Sequence, residues 1–457
     1  MQQILSTKQT YTLEELILKE QQLSIEMLMK EAGQAVWYQL INVYGVMPKN
    51  MCVFVGSGNN GGDALVLALL ALKAGVSVDV VQVCPTKSKY LNNLYDEHEQ
   101  LTQSLTDKYM HKKYDVIIDG VFGIGYKLRE DDNINNWISA FNAMNGFKVA
   151  IDIPSGVDAN SGFARQHCSV DLTITFFAPK IGHCFNVGKA AQKKLVVALK
   201  HYFKPYGYRV VQQNDLPPKA LHAHKYECGN VCVIGGSNGM EGAGFLSALA
   251  ALRAGTGLSR YQYLSSIHTT YDPSVMVERY KEDNIQTFIN RKTVCIVGPG
   301  LNAQDAKLVM EQIINKDLTL ILDAGSLTAL PKSLDFNNKC ILTPHVGEAA
   351  KLLEVSNDYI LTNPIEAALI LNKQFRTPIV LKSASTVLAF DGEISLITNG
   401  HSSLATAGSG DVLAGVIGAY VARYGLTRHV IEQAIYKHAS LSDISSSMIA
   451  SDLIKGL

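Results

Sequence analysis

The feature that most constrains this chain is an alternation that runs almost end to end. Short β-branched apolar runs are each followed by a Gly-rich or polar turn and then by a longer helical pattern. Met51 to Val55, Val76 to Val83, Val116 to Ile118 and Val149 to Ile153 are such runs in the first half. Val231 to Ile234, IVGPGLN, LTLILDAGSL, ILTPHVGE and IVLKSAST continue the pattern in the second. Strands alternating with helices predict parallel three-layer α/β sheets, in which ligands bind beyond the carboxyl ends of the strands. At 457 residues the chain exceeds one hydrophobic core, so two domains are expected. The pattern breaks at KPYGYR and NDLPPKALHAHK, which places the seam near 210–220 and predicts domains 1–212 and 213–457. A capping box at Thr12 to Glu15 opens a helical pattern through Leu16, Ile17, Leu23, Met27 and Leu28.

Charge and cysteine usage narrow the class of function. Basic and acidic residues balance, 41 against 41, which removes the bulk electrostatic drive toward nucleic acid or membrane surfaces and leaves small molecules as the expected partners. The longest apolar run, Ala64 to Leu72, is far short of a membrane span and the N-terminus has no apolar export segment, so a cytoplasmic protein is expected. Eight cysteines in such a chain argue for reduced thiols. The grouping His222, His224, Cys228, Cys232 fits no common zinc spacing.

Several stretches carry chemistry. GSGNNGGDALVLALLALKAG is a Gly-rich turn opening a helix, with GxGxxG spacing at Gly56, Gly58 and Gly61, but Asn59, Asn60 and Asp63 add polar side chains that a plain pyrophosphate turn does not need. Asp119 (IIDGVFGIG) and Asp152 (AIDIPSGVDANSG) stand at strand ends, where each caps a turn or serves a ligand, and Asn60, Asp119 and Ser155 together offer the oxygen set of a loosely held cation such as potassium. In SLATAGSGDVLAGVIGAY, residues Gly408 to Gly410 present a backbone with little Cβ hindrance at a helix start, a geometry that binds anions. Asp411 in that first turn either complements the helix dipole or takes a proton from an alcohol held beside a phosphate. His345, Glu348, Lys382 and Asp411 each follow an apolar strand or loop at what should be one sheet edge.

GSGNNGGD, DGVFGIG, AIDIPSGVDANSG and FFAPKIG, in that order, resemble the N-terminal domain of the bifunctional NAD(P)H-hydrate repair enzymes, the NAD(P)HX epimerase. The resemblance implies a Rossmann-like domain that interconverts the R and S epimers of hydrated NADH and NADPH. It implies that Asn60, Asp119 and Ser155 hold potassium, and that Asn59, Asn60, Gly61, Gly62, Asp63 and the loop Gly123, Ile124, Gly125, Tyr126, Lys127, Leu128, Arg129 contact substrate. Asp152 would bind substrate and act as catalytic acid/base, with Lys180 either assisting or at the surface. Ala64 stands where the family has Gly, which would move the helix start away from the ligand. The second-half motifs resemble the ribokinase-like C-terminal dehydratase of the same enzymes. There the resemblance implies that Ala243, Gly300, His345 and Asp411 face the hydrated nicotinamide. Lys382, Ser383, Ala384, Ser385, Thr386 and Gly410 would bind ADP or ATP with magnesium, and Asp411 would be the base. Ala407, Ser409, Ser383, Ser385 and Gly325 depart from the family's loops, with weaker nucleotide and magnesium ordering as the expectation. A homo-oligomer is expected. The alternatives are a ribokinase-like small-molecule kinase with a regulatory, non-catalytic nucleotide-binding first half, and a non-catalytic nucleotide sensor or scaffold.

Overall fold

The computed structural model describes residues 3–85, 89–98, 101, 109, 112–127, 132–199, 207–214, 216–217, 224–225, 227–266, 272–281, 293–331, 335–336, 339–442 and 447–457. Leu128, Arg129, Pro218 and His222 lie outside them. The chain divides into two compact units, Gln2–Tyr208 and Arg209–Leu457.

The first unit opens with α1 (Thr7–Glu20) and α2 (Ile25–Tyr44), whereas the sequence pattern places the opening capping box at Thr12 to Glu15. Ser6 is the residue whose backbone is extended enough to cap. Its Oγ accepts from Gln9 N at 3.2 Å, while Gln9 Oε1 accepts from Ser6 N at 2.8 Å. Thr12 instead sits inside the helix and donates its hydroxyl back to Lys8 O. A left-handed Gln22 then breaks the pattern, and Ser24 caps the second helix.

Six parallel strands follow: β1 (Asn50–Val55), β2 (Ser77–Gln82), β3 (Val116–Gly120), β4 (Phe147–Ile151), β5 (Val170–Phe176) and β6 (Gln192–Ala198). Their order is β2-β1-β3-β4-β5-β6, with Val53 opposite both Val80 and Ile118, and Ile118 opposite Val149. The near-continuous apolar runs follow from helices covering both faces. Because the chain leaves β1 toward one edge and returns to β3 on the other side, the sheet has a switch point between β1 and β3, and a ligand crevice belongs there. Helix α3 (Asn59–Lys73) starts at that crevice, so Asn59 and Asn60 occupy its first turn. Ala64 does not displace this start: its methyl is buried against Gly120, a position that has no room for a Cβ.

In the second unit the strands are β7 (Tyr208–Val210), β8 (Asn230–Gly235), β9 (Leu258–Tyr263), β10 (Met276–Arg279), β11 (Thr293–Val297), β12 (Thr319–Leu322), β13 (Cys340–Leu342), β14 (Ile379–Leu381), β15 (Thr386–Phe390) and β16 (Glu393–Ile397). Their order is β7-β16-β15-β14-β13-β12-β11-β8-β9-β10. From β10 to β14 every pairing is parallel. The purely parallel expectation fails beyond β14, because β14, β15 and β16 pair antiparallel. The cause is local: Asp391 and Gly392 both adopt positive φ, which gives the tight two-residue hairpin turn between β15 and β16. Helix α4 (Glu241–Arg253) and helix α5 (Ser409–Tyr424) pack on the sheet, and Gly415 lets α5 approach the Ser247 carbonyl on α4 closely enough to exclude any side chain.

Two candidate active sites

At the switch point of the first unit lies a cavity of about 600 Å³, lined among others by Tyr11, Glu14, Asn59, Asn60, Asp63, Phe122, Tyr126, Asp152 and Phe176. Gly123, Ile124, Gly125 and Lys127 also line it. Gly61 and Gly62 do not, because they pack behind it. A Cβ on Gly61 would run into the Gly56 carbonyl, and one on Gly62 into the Met29 side chain.

Asp152 follows β4 and holds φ +65°, a conformation rarely adopted by a residue with a Cβ. Its Oδ1 accepts from Lys180 Nζ at 2.7 Å and from Thr175 Oγ1 at 2.9 Å. Lys180 is fully buried, not at the surface, and its other two protons go to Thr175 Oγ1 at 2.8 Å and Phe176 O at 2.9 Å. Burial alone would push the Asp152 carboxyl up, but the Lys180 ammonium, its hydrogen bond and the Thr175 hydroxyl outweigh it, so Asp152 sits below the usual carboxylate range. His183 braces the pair from below: its Nδ1 accepts from Lys180 N and its Nε2 donates to Asp152 O at 2.8 Å. Burial, helped by Lys180, holds His183 down at about 4, so the imidazole is neutral. Around this ionised carboxylate stand two that favour their protons. Burial, then the charges of Asp152 and Glu14, push Asp63 well up, and burial with Asp152 raises Glu14 to about 7.

Asp119 lies just beneath, completely buried. It accepts from Ser155 N at 2.7 Å and from Ser155 Oγ at 2.6 Å, and Ser155 Oγ in turn accepts from Phe122 N at 2.9 Å. No lysine or arginine among the described residues pairs with Asp119, and burial lifts it to about 6. Asn60 is buried beside the same loop, against Gly123, and its Nδ2 has no partner. The Asp119 carboxylate, with no cationic side chain against it, together with the Ser155 hydroxyl and the Asn60 amide oxygen, supplies the oxygen donors that suit a monovalent cation; the unpaired Asn60 Nδ2 is a donor and cannot ligate one.

In the second unit the glycine loop does what its composition suggests. Gly408 caps α5 with φ +85°, leaving Gly410 and Asp411 in the first turn, where N–H groups lack intrahelical acceptors. His438 is buried under this turn and Nε2 donates to Ser409 O at 3.0 Å, which fixes the loop from behind. Lys382, at the end of β14, donates to Asp323 Oδ1 at 2.6 Å, and Asp323 also accepts from Thr343 Oγ1 at 2.7 Å. A Cβ on Gly410 would stand 3.3 Å from Lys382 Nζ, so the ammonium faces the helix start. Burial, Asp323 and Glu348 raise Asp411 to about 7 against the pull of Lys382. Burial pulls the Lys382 ammonium down, but Asp323, Glu348 and Asp411 outweigh it, and it stays charged.

His345 caps the helix that carries Glu348. Its Nδ1 accepts from Gly347 N at 2.9 Å, and Glu348 Oε2 accepts from His345 N at 2.8 Å. Thus the four expected residues gather at one edge, with His345 paired to Lys382 in a β-bridge and Glu348 and Asp411 beside Lys382, and Asp323, at the end of its strand, joins them. Ala243 and Gly300 face one another, a Cβ on Gly300 lying 3.1 Å from that of Ala243. Ser385 is buried, Ala384 is exposed, and Ser383 Oγ donates to Ser385 O at 2.6 Å, tying the turn that leads into Thr386 and β15. At Gly325 any side chain would meet the Leu301 carbonyl, so this loop has no space for an acidic residue there. Among the described residues no group of three or more His, Cys, Asp or Glu side chains is gathered to hold a metal ion, and Asp323 is already engaged by Lys382 and Thr343.

An aspartate paired with a buried lysine at a sheet switch point, and a second aspartate beside a lysine at a glycine-loop helix start, give each α/β module one candidate site for proton transfer. Comparison with known proteins agrees module by module. Residues 25–182 match the family described as YjeF-related protein N-terminus, and residues 231–453 match the NAD(P)H-hydrate dehydratase family. The bifunctional NAD(P)H-hydrate repair enzyme of Coxiella burnetii is 29% identical over 94% of this chain and 93% of its own. That of Escherichia coli is 28% identical over 95% and 89%. The solved ADP/ATP-dependent NAD(P)H-hydrate dehydratase from Bacillus subtilis, co-crystallized with ATP/Mg2+, aligns with 53% of this chain and 91% of its own at 26% identity and a TM-score of 0.46. The chain thus carries in series, each on its own largely parallel α/β sheet, the two domain families matched here, and relatives named bifunctional NAD(P)H-hydrate repair enzyme align with it along nearly its whole length.

Proposed function

We propose that this protein repairs hydrated NADH and NADPH in two steps. Residues 1–212 form an NAD(P)HX epimerase domain that exchanges the R and S epimers, and residues 213–457 form a dehydratase domain that returns the S epimer to NAD(P)H. The dehydratase uses ADP or ATP, releasing phosphate with AMP when ADP is the donor. The protein acts as a cytoplasmic homo-oligomer; no helix among the described residues is long and apolar enough to cross a membrane.

Epimerisation requires the C6 hydroxyl to leave one face of the ring and water to return to the other. Asp152, ionised by Lys180, is the base for the returning water, and Phe122, Tyr126 and Phe176 provide apolar and aromatic surface in the cavity for the ring. Asn60, Asp119 and Ser155 would hold potassium, whose charge would offset that of Asp119 and order the loop bearing Gly123 to Lys127.

In the dehydratase site hydroxide is a poor leaving group, so the hydroxyl oxygen is first converted to a phosphate ester. Asp411 takes the C6 hydroxyl proton, and the oxygen forms its bond to the terminal phosphorus of the nucleotide as the bridging P–O bond breaks. Phosphate then leaves C6, and loss of a C5 proton closes the C5=C6 bond. The N–H groups of Gly410 and Asp411 and the Lys382 ammonium are aimed where charge grows on the transferring group. Magnesium would arrive with the nucleotide and supply further charge neutralisation on its phosphates, beside the Lys382–Asp323 pair. Ser383 to Thr386 shape the turn beside it.

The observation that most supports this reading is Asp411, poised near neutrality beside Lys382 at an anion-binding helix start. Product analysis tests it. Incubation of the S epimer with ADP or ATP and magnesium should yield NADH and inorganic phosphate in equal amounts. A stable phosphate ester of the substrate would instead make the module a kinase.

A further inference from the structure

The epimerase cavity holds a titratable group that the reading above leaves unused, on an element remote in sequence from every other site residue. Leu5 N donates to Pro179 O at 2.9 Å and Ile181 N donates to Leu5 O at 3.1 Å, so the start of the chain is zipped along the segment that bears Lys180. Ser6 then caps α1, and Thr7 N donates to Asn160 Oδ1 at 2.8 Å. With its first turn fixed at two points, α1 presents Tyr11 and Glu14, one helical turn apart, to the cavity that Asp152 lines. Tyr11 reaches across to the facing loop, its hydroxyl 3.0 Å from where a Cβ on Gly125 would stand.

We infer that Glu14 is a catalytic residue of the epimerase, the acid that protonates the departing C6 hydroxyl while Asp152 serves as base for the returning water. This rests on the epimerase reading of the first module. The Glu14 carboxyl proton passes to the C6 oxygen and the C6–O bond breaks, its electron pair leaving with water. The ring nitrogen lone pair forms the C6=N bond. A water on the other face then bonds to C6, the C=N pair returns to nitrogen, and the water's proton goes to Asp152. Glu14 ends ionised and Asp152 protonated. The Lys180 ammonium disfavours the latter state and returns the proton through solvent.

Epimerisation needs one carboxyl with its proton and one without. The groups facing Glu14 supply this asymmetry: Tyr11 on its own helix, Asp63 on α3, Asp152 after β4, Lys180 and His183 below, and Lys127 on the facing loop. Asp63 is the other carboxyl that burial and its neighbours push upward, but it is buried in the cavity wall, whereas half-buried Glu14 reaches solvent for reprotonation.

The test is epimer exchange by the full chain across pH. For the wild type, turnover should fall as pH rises through about 7, where Glu14 loses its proton. Glu14→Gln should lower the rate about 100-fold and abolish that alkaline decline. Glu14→Asp should restore both in part, and Asp63→Asn should keep the decline. Dehydration of pure S epimer by the same Glu14→Gln protein should be unchanged, which reports an intact second unit, and an unchanged melting transition of the first unit reports that its fold is intact as well. An alkaline decline that persists in Glu14→Gln, or vanishes only in Asp63→Asn, overturns the assignment. A wild type that dehydrates the S epimer but never exchanges epimers removes the epimerase reading itself.

Discussion

Replacing Lys180 by Met is the sharpest perturbation of the first module. The ammonium is completely buried and spends all three protons, on Asp152, Thr175 and Phe176. Its removal leaves a buried carboxylate with the Thr175 hydroxyl and with Glu14 and Asp63 nearby, so most of what now holds Asp152 low is lost. Breaking a buried pair by deleting one partner costs about 3–5 kcal/mol, equivalent to about 2–4 units of carboxyl pKa. At about 2–4 °C per kcal/mol for a unit of this size, the first unfolding transition should drop by roughly 6–20 °C near pH 7.5.

The sign with pH follows from Asp152. In the wild type its folded pKa is depressed, so it contributes stability above its unfolded pKa of about 3.9, lost as pH falls through the lower folded value. In Lys180→Met the folded pKa lies above the unfolded one, so the carboxyl destabilises the variant at neutral pH and ceases to do so as pH falls toward about 4. The gap between the two melting curves should therefore narrow between pH 7.5 and pH 5. Scanning calorimetry of the full chain at several pH values reads this, with epimer exchange as the parallel assay. A gap under about 2 °C at pH 7.5, or one that widens toward acid, would refute the claim that Lys180 holds Asp152 ionised.

Three further outcomes follow from the geometry. Asp411→Asn should lower dehydration of the S epimer by about 10²–10⁴-fold while leaving epimer exchange intact, as seen by NADH absorbance and by chromatography of the epimers. Because Asp411 must be ionised to act as base and burial with Asp323 holds it at about 7, dehydratase kcat/KM should rise as pH increases from 6 to 8; a profile flat across that range would count against it. Gly408→Ala places a Cβ at φ +85° and 2.8 Å from Leu246, and should destabilise the second unit by about 1–2 kcal/mol and raise the KM for nucleotide, measurable by melting and by titration.

Much of this architecture is written in local pattern, and what is not depends on distance along the chain. Asp152 and Asp411 are readable because each directly follows an apolar run or glycine loop, so the strand or helix that positions it announces it. The Asp391–Gly392 turn is equally local, and Asp-Gly between two apolar runs is a hairpin signal that would have corrected the all-parallel expectation. Lys180 is different. A lysine after proline reads as surface, and only the folded sheet brings Asp152 and Thr175 around it. Asp323 hides in a strand end, and its role appears only when β12 and β14 bring it to Lys382. Two capping boxes compete at the N-terminus; the pairing of Leu5 with Lys180 selects Ser6 and places Glu14 over the cavity. Gly325 looks like a missing acid until the Leu301 carbonyl is seen to fill its space.

The most direct measurement supplies purified protein with mixed epimers of hydrated NADH, potassium, magnesium and either ADP or ATP, and follows the return of near-ultraviolet NADH absorbance. Two modules acting in series should recover the whole mixture, faster than the epimers exchange spontaneously, with one of the two nucleotides. Recovery that stops once the S epimer is consumed would contradict the role given to the first module, and no recovery with either nucleotide would contradict the assignment of both.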